Sequence, residues 1–155
     1  IYAVLYEEYG AQIFLNIYES ESTHFDQMGV LLERYGLDDP ALAPGVFTDH
    51  HIQELYDLLI PMGMSSLEGA YRVGAIIEEV DILDFLHFLD NEALDNKDIR
   101  QVYTYLMNAS ENHLRGFVSC LLSLGVVYEP GYLSLEQYEA ILVEETGGVG
   151  NTAGH

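Results

Sequence analysis

The sequence is poor in basic residues. It has 5 Lys plus Arg against 26 Asp plus Glu among 155 residues, which gives a formal net charge of −21 at pH 7. Proteins that bind nucleic acid neutralise phosphates with Lys and Arg, so the composition excludes nucleic acid as a partner and disfavours anionic membrane surfaces. The acidic excess is typical of a solvated surface, and it also fits a protein that attracts cations.

Cysteine and long apolar runs are equally scarce. Cys120 is the single cysteine, which excludes an internal disulfide and a Cys-based metal cluster. No apolar run approaches the roughly 20 residues of a membrane-spanning helix. We therefore expect a soluble protein without a membrane partner, and the composition leaves open whether it is cytoplasmic or exported.

Apolar residues recur at helical spacing along most of the chain, and strand signals are almost absent. Two pairs of long helices, joined by a Pro-containing crossover at residues 37–49, predict an all-α four-helix bundle with short accessory helices. The four helices of the bundle are predicted at 1–9, which looks like the C-terminal half of a longer helix, and at 13–35, 65–89 and 97–124. The accessory helices are predicted from about 50 to Pro61 and at 134–143. The helix at 65–89 is apolar on nearly all sides, which predicts a central position.

Local signals mark the helix ends. Gly10, Gly36 and Gly125 predict helix C-termini. Thr48 or Asp49 is the predicted N-cap of the helix that follows the crossover. Two further helix starts have capping-box spacing, Ser65 with Glu68 and Ser134 with Gln137. We expect one domain over residues 1–145 and a Gly-rich flexible tail over 146–155. Because Ile1 already lies within a helical pattern, the first helix is expected to be truncated at its N-terminus.

Glu21 and His24 form a Glu-x-x-His on the stripe of the second helix that should face inward. An α-helix places such residues one turn apart on one face. Burying both groups without partners is costly. They therefore either hydrogen-bond to each other or hold a metal ion.

Two further polar groups fall on inward stripes. Glu78 and Asp81 lie one turn apart beside Gly74 and Ala75, small residues that we interpret as leaving room for something other than side-chain packing. The other group is His113, on the stripe of the fourth helix. Carboxylates and imidazoles that meet in a bundle core are the ligand set of a dinuclear metal site.

Several neighbouring residues have less definite predictions. We expect Glu79 either to contact a metal ligand without binding the metal itself or to be solvated. The tyrosines predicted to line an oxidising centre are Tyr18, Tyr71 and Tyr103.

Motifs along nearly the whole chain resemble the prokaryotic ferritin-like family catalogued as domain-of-unknown-function family 2202. They include Val-Leu-Tyr-Glu-Glu-Tyr-Gly at residues 4–10, Ser20-Glu21-x-x-His24, Ile77-Glu78-Glu79-x-Asp81-Ile82, Asn112-His113-Leu114-Arg115 and Tyr128-Glu129-Pro130-x-Tyr132-Leu133-Ser134. The resemblance implies a ferritin-like four-helix bundle with a di-iron carboxylate centre. The ligands implied are Glu21, His24, Glu78, Asp81 and His113.

The same resemblance implies an oxidoreductase that acts on O₂ or hydrogen peroxide. Iron is the expected metal, with manganese or zinc as alternatives. Electrons would come from an external donor protein, since the chain has no rubredoxin-like cysteine cluster, and a homodimer is compatible with the family.

Two departures from the family pattern keep other functions open. Ser110 replaces the Glu expected three residues before His113, and a ligand expected from the first helix would fall before Ile1. The alternatives are a non-catalytic metal-binding or interaction bundle with a degenerate site, and a purely structural helical bundle.

Overall fold

The structure, a computed structural model, describes residues 1–144, and this part of the chain is all helical, as predicted. It contains no strand in that range. The six helices found there are α1 (Tyr2–Tyr9), α2 (Gln12–Tyr35), α3 (His50–Gly63), α4 (Leu67–Leu89), α5 (Lys97–Ser123) and α6 (Leu135–Glu144). The predicted flexible tail at 146–155 lies outside the described residues.

The predicted glycine stops are confirmed. Gly10 and Gly36 follow α1 and α2 with φ of 62° and 65°, in the left-handed region that favours glycine. After α2, the Leu37 N–H also donates to the Leu32 carbonyl at 2.9 Å, which completes a Schellman-type helix end.

Two of the three predicted N-caps are correct. Asp49 Oδ1 accepts from the backbone N–H of His51 at 2.8 Å, and Ser134 and Gln137 form a reciprocal capping box. The prediction for Ser65 was wrong. Its hydroxyl donates to the Met62 carbonyl at 2.7 Å, and the neighbouring Ser66 caps α4.

Pro61 does not break α3, contrary to the prediction, because the helix continues to Gly63. Proline removes one helical hydrogen bond, the one to the carbonyl four residues earlier. That carbonyl belongs to Asp57, and both residues are exposed. Water can therefore hydrate the freed carbonyl, and the last turn persists.

Helix α4 occupies the centre of the fold, as predicted. It packs against α1, α3 and most extensively α5, while α2 packs against α1 and α5. Arg34, near the end of α2, forms a 2.6 Å ion pair with Asp98, near the start of α5. The two helices are therefore antiparallel, which places the middle of α2 beside the middle of α5.

An aromatic cluster fills the interior between α1, α2, α4 and α5. The rings of Phe14 and Tyr71 are 5.5 Å apart, and the Phe117 ring lies 5.8 Å from both Phe14 and Tyr2. The Phe117 ring also covers Gly74, where an added Cβ would lie 2.3 Å from Cζ. The interpretation that Gly74 leaves unfilled room was therefore wrong.

In the described part of the chain, none of the helices has both the length and the apolar character needed to cross a membrane.

Replacing Gly74 with Ala should destabilise the protein, because the new methyl group collides with the buried Phe117 ring. Overpacking of this kind costs about 1–3 kcal/mol. The control is Gly29→Ala, since a Cβ at this helical position meets nothing within 4 Å and Ala favours a helix over Gly by up to about 1 kcal/mol. Urea unfolding measures both changes. Equal stability of the two variants would contradict the packing described here.

Candidate metal centre

Helices α2, α4 and α5 bring Glu21, Glu78 and His113 together. His113 Nδ1 lies 3.2 Å from Glu21 Oε1 and 3.4 Å from Glu78 Oε2, and the three atoms lie within 4.8 Å of one another. Two ligand atoms that share an ion at about 2.0–2.2 Å are themselves about 3.0–3.5 Å apart. The group could therefore hold a metal ion with little movement of its side chains.

Two atoms of this group lack hydrogen-bond partners. Among the described residues, neither Glu78 Oε2 nor His113 Nδ1 has one, although they approach to ion-pair distance, because that contact is not aligned as a hydrogen bond. The other oxygen of Glu78, Oε1, accepts a hydrogen bond from the Tyr2 hydroxyl. Buried polar atoms are rarely left unpaired, and an ion between Oε2 and Nδ1 would satisfy both.

His24 lies on the other side of Glu21. Its Nδ1 is 3.2 Å from Glu21 Oε1 and its Nε2 is 3.4 Å from Ser20 Oγ. The His24 and His113 rings are 6.1 Å apart at 27°. One carboxylate oxygen thus lies equally close to two imidazoles, so Glu21 is both the predicted partner of His24 and a member of the three-residue group.

Asp81 lies beside the group of Glu21, Glu78 and His113 but is not part of it. Burial and then the neighbouring Glu78 and Glu21 carboxylates hold the pKa of the Asp81 carboxyl well above its usual range. The carboxyl therefore tends to retain a proton. Of the five predicted ligands, the structure brings three into one group, with His24 and Asp81 next to it.

The charges of the group depend on one another. Burial would lower the pKa of His113, but the Glu21 and Glu78 carboxylates raise it to about 9. For Glu21, burial opposes ionisation, and the two imidazoles nevertheless lower its pKa on balance. Burial dominates at Glu78, whose pKa is raised. Without metal, a proton on His113 therefore offsets the charge of the carboxylates.

A comparison with known protein families found a match to nearly the whole chain. The family model described as "Uncharacterized protein domain (DUF2202)" matches residues 1–145. The chain belongs to this family. It is 43% identical over 148 residues to the uncharacterized protein MJ0754 of Methanocaldococcus jannaschii, covering 94% of this chain and 79% of that protein.

A crystal structure of this DUF2202 relative, described as hypothetical protein MJ0754 from Methanococcus jannaschii, superimposes on the chain with a TM-score of 0.86. The match has 43% sequence identity and covers 91% of this chain and 81% of the other. At this similarity the two proteins share the helical fold.

Sequence reasoning missed Tyr2, which donates to Glu78 from α1. Burial and the Glu78 carboxylate hold the pKa of the Tyr2 phenol well above its usual range, so it stays a proton donor. Seventy-six positions separate the two residues, and no local pattern reports such a contact. The only sequence signal was that Tyr2 shares the apolar face of α1 with Leu5.

Glu79 is fully buried, so of the two alternatives predicted for it the solvated one was wrong. Its carboxylate accepts the Tyr128 hydroxyl at 2.5 Å, the backbone N–H groups of Tyr132 and Leu133 at 2.8 Å each, and that of Gly131 at 3.2 Å. Glu79 therefore ties the segment between α5 and α6 to α4.

Ser110, at the position where the resemblance led us to expect a Glu, is buried on α5 one turn before His113. That position thus lies in the protein interior.

Metal-free protein should lose stability as the pH rises from 6.5 to about 9. The His113 pKa is raised from 6.5 to about 9 in the folded state, so His113 stabilises fully below pH 6.5 and this contribution disappears as the pH passes through about 9. Thermal unfolding with a chelator present should show a flatter pH dependence for His113→Gln. The exposed His51 supplies the control His51→Gln, which should behave as wild type. Equal slopes for wild type and His113→Gln would contradict the ion-pair geometry.

Proposed function

We propose that this DUF2202 protein binds transition metal at Glu21, Glu78 and His113, with His24 beside them, and acts as an oxidoreductase on O₂ or hydrogen peroxide. One observation carries the proposal: the buried Glu78 Oε2 and His113 Nδ1 face each other at 3.4 Å, and neither has a hydrogen-bond partner in the part of the chain that the structure describes. Buried polar atoms without hydrogen-bond partners lower the stability of the folded protein, and a metal ion bound by both atoms would remove this cost.

A ferritin-like bundle is the architecture that fits this centre best. In such bundles the ligands project inward from facing helices. Here the candidate ligands come from the three long helices α2, α4 and α5, and the short α1 contributes Tyr2.

The donor set suits iron, manganese or zinc, because imidazole and carboxylate ligands bind all three. Iron or manganese, when bound, would supply electron transfer by cycling between divalent and trivalent states. Glu21 Oε1 lies 3.2 Å from the Nδ1 of both His24 and His113, so Glu21 could hold an ion together with either imidazole.

The chain's own residues have separate roles in this proposal. Glu21 and Glu78 offset the charge of the ions. Asp81 can hold a proton beside the centre, and the stacked rings of Tyr2 and Phe117 shield the buried Glu78 from water. Cys120 is the only cysteine, so reducing electrons come from a separate donor protein.

A second candidate function is metal binding without redox turnover. Ser110 favours it, because the buried α5 position that would provide a further carboxylate has only a hydroxyl. A dinuclear centre needs several carboxylates to balance two divalent ions. With fewer of them, one ion could bind firmly and the other weakly.

The adjacent residues Glu78 and Glu79 allow a matched test of the metal site. Both are fully buried, but only Glu79 has its carboxylate saturated by hydrogen bonds. Glu78→Gln should abolish binding of Fe²⁺ and Mn²⁺ and destabilise the metal-free protein less than Glu79→Gln does, because the Gln oxygen can still accept from Tyr2. Glu79→Gln should retain the metal and lose about 2–4 kcal/mol of stability. Metal per chain and urea unfolding are the measurements.

Peroxide consumption by the iron- or manganese-loaded chain separates the two functions. Two redox metals per chain with turnover support the oxidoreductase. Metal binding without turnover supports the second candidate. If wild-type protein binds no metal, or if Glu78→Gln binds it as tightly as wild type, the proposed centre is wrong.

A carboxylate at position 110, one turn before His113 on α5, should increase the affinity for a second metal ion. Ser110→Glu restores a Glu-x-x-His with His113, and we expect binding of the second ion to tighten by roughly tenfold or more. Ser110→Gln is the control, because it has the same size without the charge. Isothermal titration with Mn²⁺ measures both variants. Equal effects of Glu and Gln at this position would contradict a second ion site next to Ser110.

A further inference from the structure

The two carboxylate oxygens of Glu78 have different surroundings. Oε1 accepts a hydrogen bond from the Tyr2 hydroxyl. Oε2 has no hydrogen-bond partner among the described residues and points towards His113 Nδ1 at 3.4 Å. Since Glu78 is fully buried, bulk water does not hydrogen-bond to either oxygen, and the difference between them persists.

Tyr2 cannot easily turn away from Glu78. It is 7% exposed, and its ring stacks on that of Phe117 with centroids 5.8 Å apart and an interplanar angle of 19°. Phe117 is itself fixed over Gly74, where even a methyl group would collide with it. The phenol thus occupies a packed position, and its hydrogen bond fixes the rotation of the Glu78 carboxylate.

We infer that Tyr2 is a positioning residue that makes Glu78 a one-oxygen metal ligand, bound through Oε2. The inference rests on the proposed metal centre. A chelating carboxylate would have to give Oε1 to the ion as well, and the hydrogen bond from Tyr2 competes for that oxygen. As a one-oxygen ligand, Glu78 would fill one coordination position of the ion instead of two. A catalytic metal site needs such an open position to bind a small molecule.

Tyr2→Phe removes only the hydroxyl and should convert Glu78 to a two-oxygen ligand. The test uses the full chain with Co²⁺, whose visible absorption weakens as its coordination number rises. We expect Tyr2→Phe to bind Co²⁺ with wild-type stoichiometry and with a visible band weaker by about twofold or more.

The matched control is Tyr9→Phe. Tyr9 lies on the same helix and its hydroxyl donates to the Gly63 carbonyl at 2.9 Å, away from the centre. This variant loses one hydrogen bond of α1 in the same way, so its Co²⁺ spectrum should equal that of wild type. A band changed equally in both variants, or unchanged in Tyr2→Phe, would overturn the inference.

A second measurement needs no change at Tyr2. The infrared difference spectrum of wild-type protein with and without Co²⁺ reports the splitting of the carboxylate stretches of Glu21 and Glu78, and the bands that persist in Glu21→Gln at saturating Co²⁺ are those of Glu78. The wide splitting of one-oxygen coordination is expected, and the narrow splitting of chelation would overturn the inference even if Tyr2→Phe fails to fold. If wild-type protein binds no Co²⁺, Fe²⁺ or Mn²⁺ at all, the proposed function itself fails, which is a separate result.

Discussion

The burial of two consecutive carboxylates, Glu78 and Glu79, is the constraint on which the arrangement of this protein depends. Both are fully buried in the central helix α4, and an uncompensated charge at such a depth costs several kcal/mol. Consecutive helical residues point about 100° apart, so each needs compensation from a different side. Glu79 obtains it from Tyr128 and three backbone N–H groups. Glu78 accepts a hydrogen bond from Tyr2 at one oxygen and faces the imidazole of His113 with the other.

Contacts between the helices outside the candidate ligands set the geometry of the centre. The antiparallel pairing of α2 with α5, supported by Arg34 and Asp98, brings Glu21 to His113. The close fit of Phe117 over Gly74 sets the approach of α5 to α4. Glu78 and His113 thus lie in a closely packed region, and packing of this kind holds the residues of a binding site in position.

The helices could be predicted from the sequence, whereas the contacts between them could not. The helices and most of their ends follow from apolar periodicity and from signals such as Asp49 and Gly36, which act over a few residues. The placement of Glu21, Glu78 and His113 on inward stripes was also visible in that periodicity. Their meeting at 3.2–3.4 Å could be expected only by assuming a bundle, because no local signal fixes how helices are rotated against one another.

The sequence by itself determined the helical class and the position of Glu21 one turn from His24, since these depend on interactions within a few residues. Tertiary structure decided which buried carboxylate is saturated and which is left open, because the partners of Glu78 and Glu79 lie 76 and 49 or more positions away. It also decided that Asp81 stays beside the group rather than within it. A side chain's neighbours across helices depend on the packing of the whole interior. The Glu-x-x-His of Glu21 and His24 therefore acquires its remaining partners only in the folded chain.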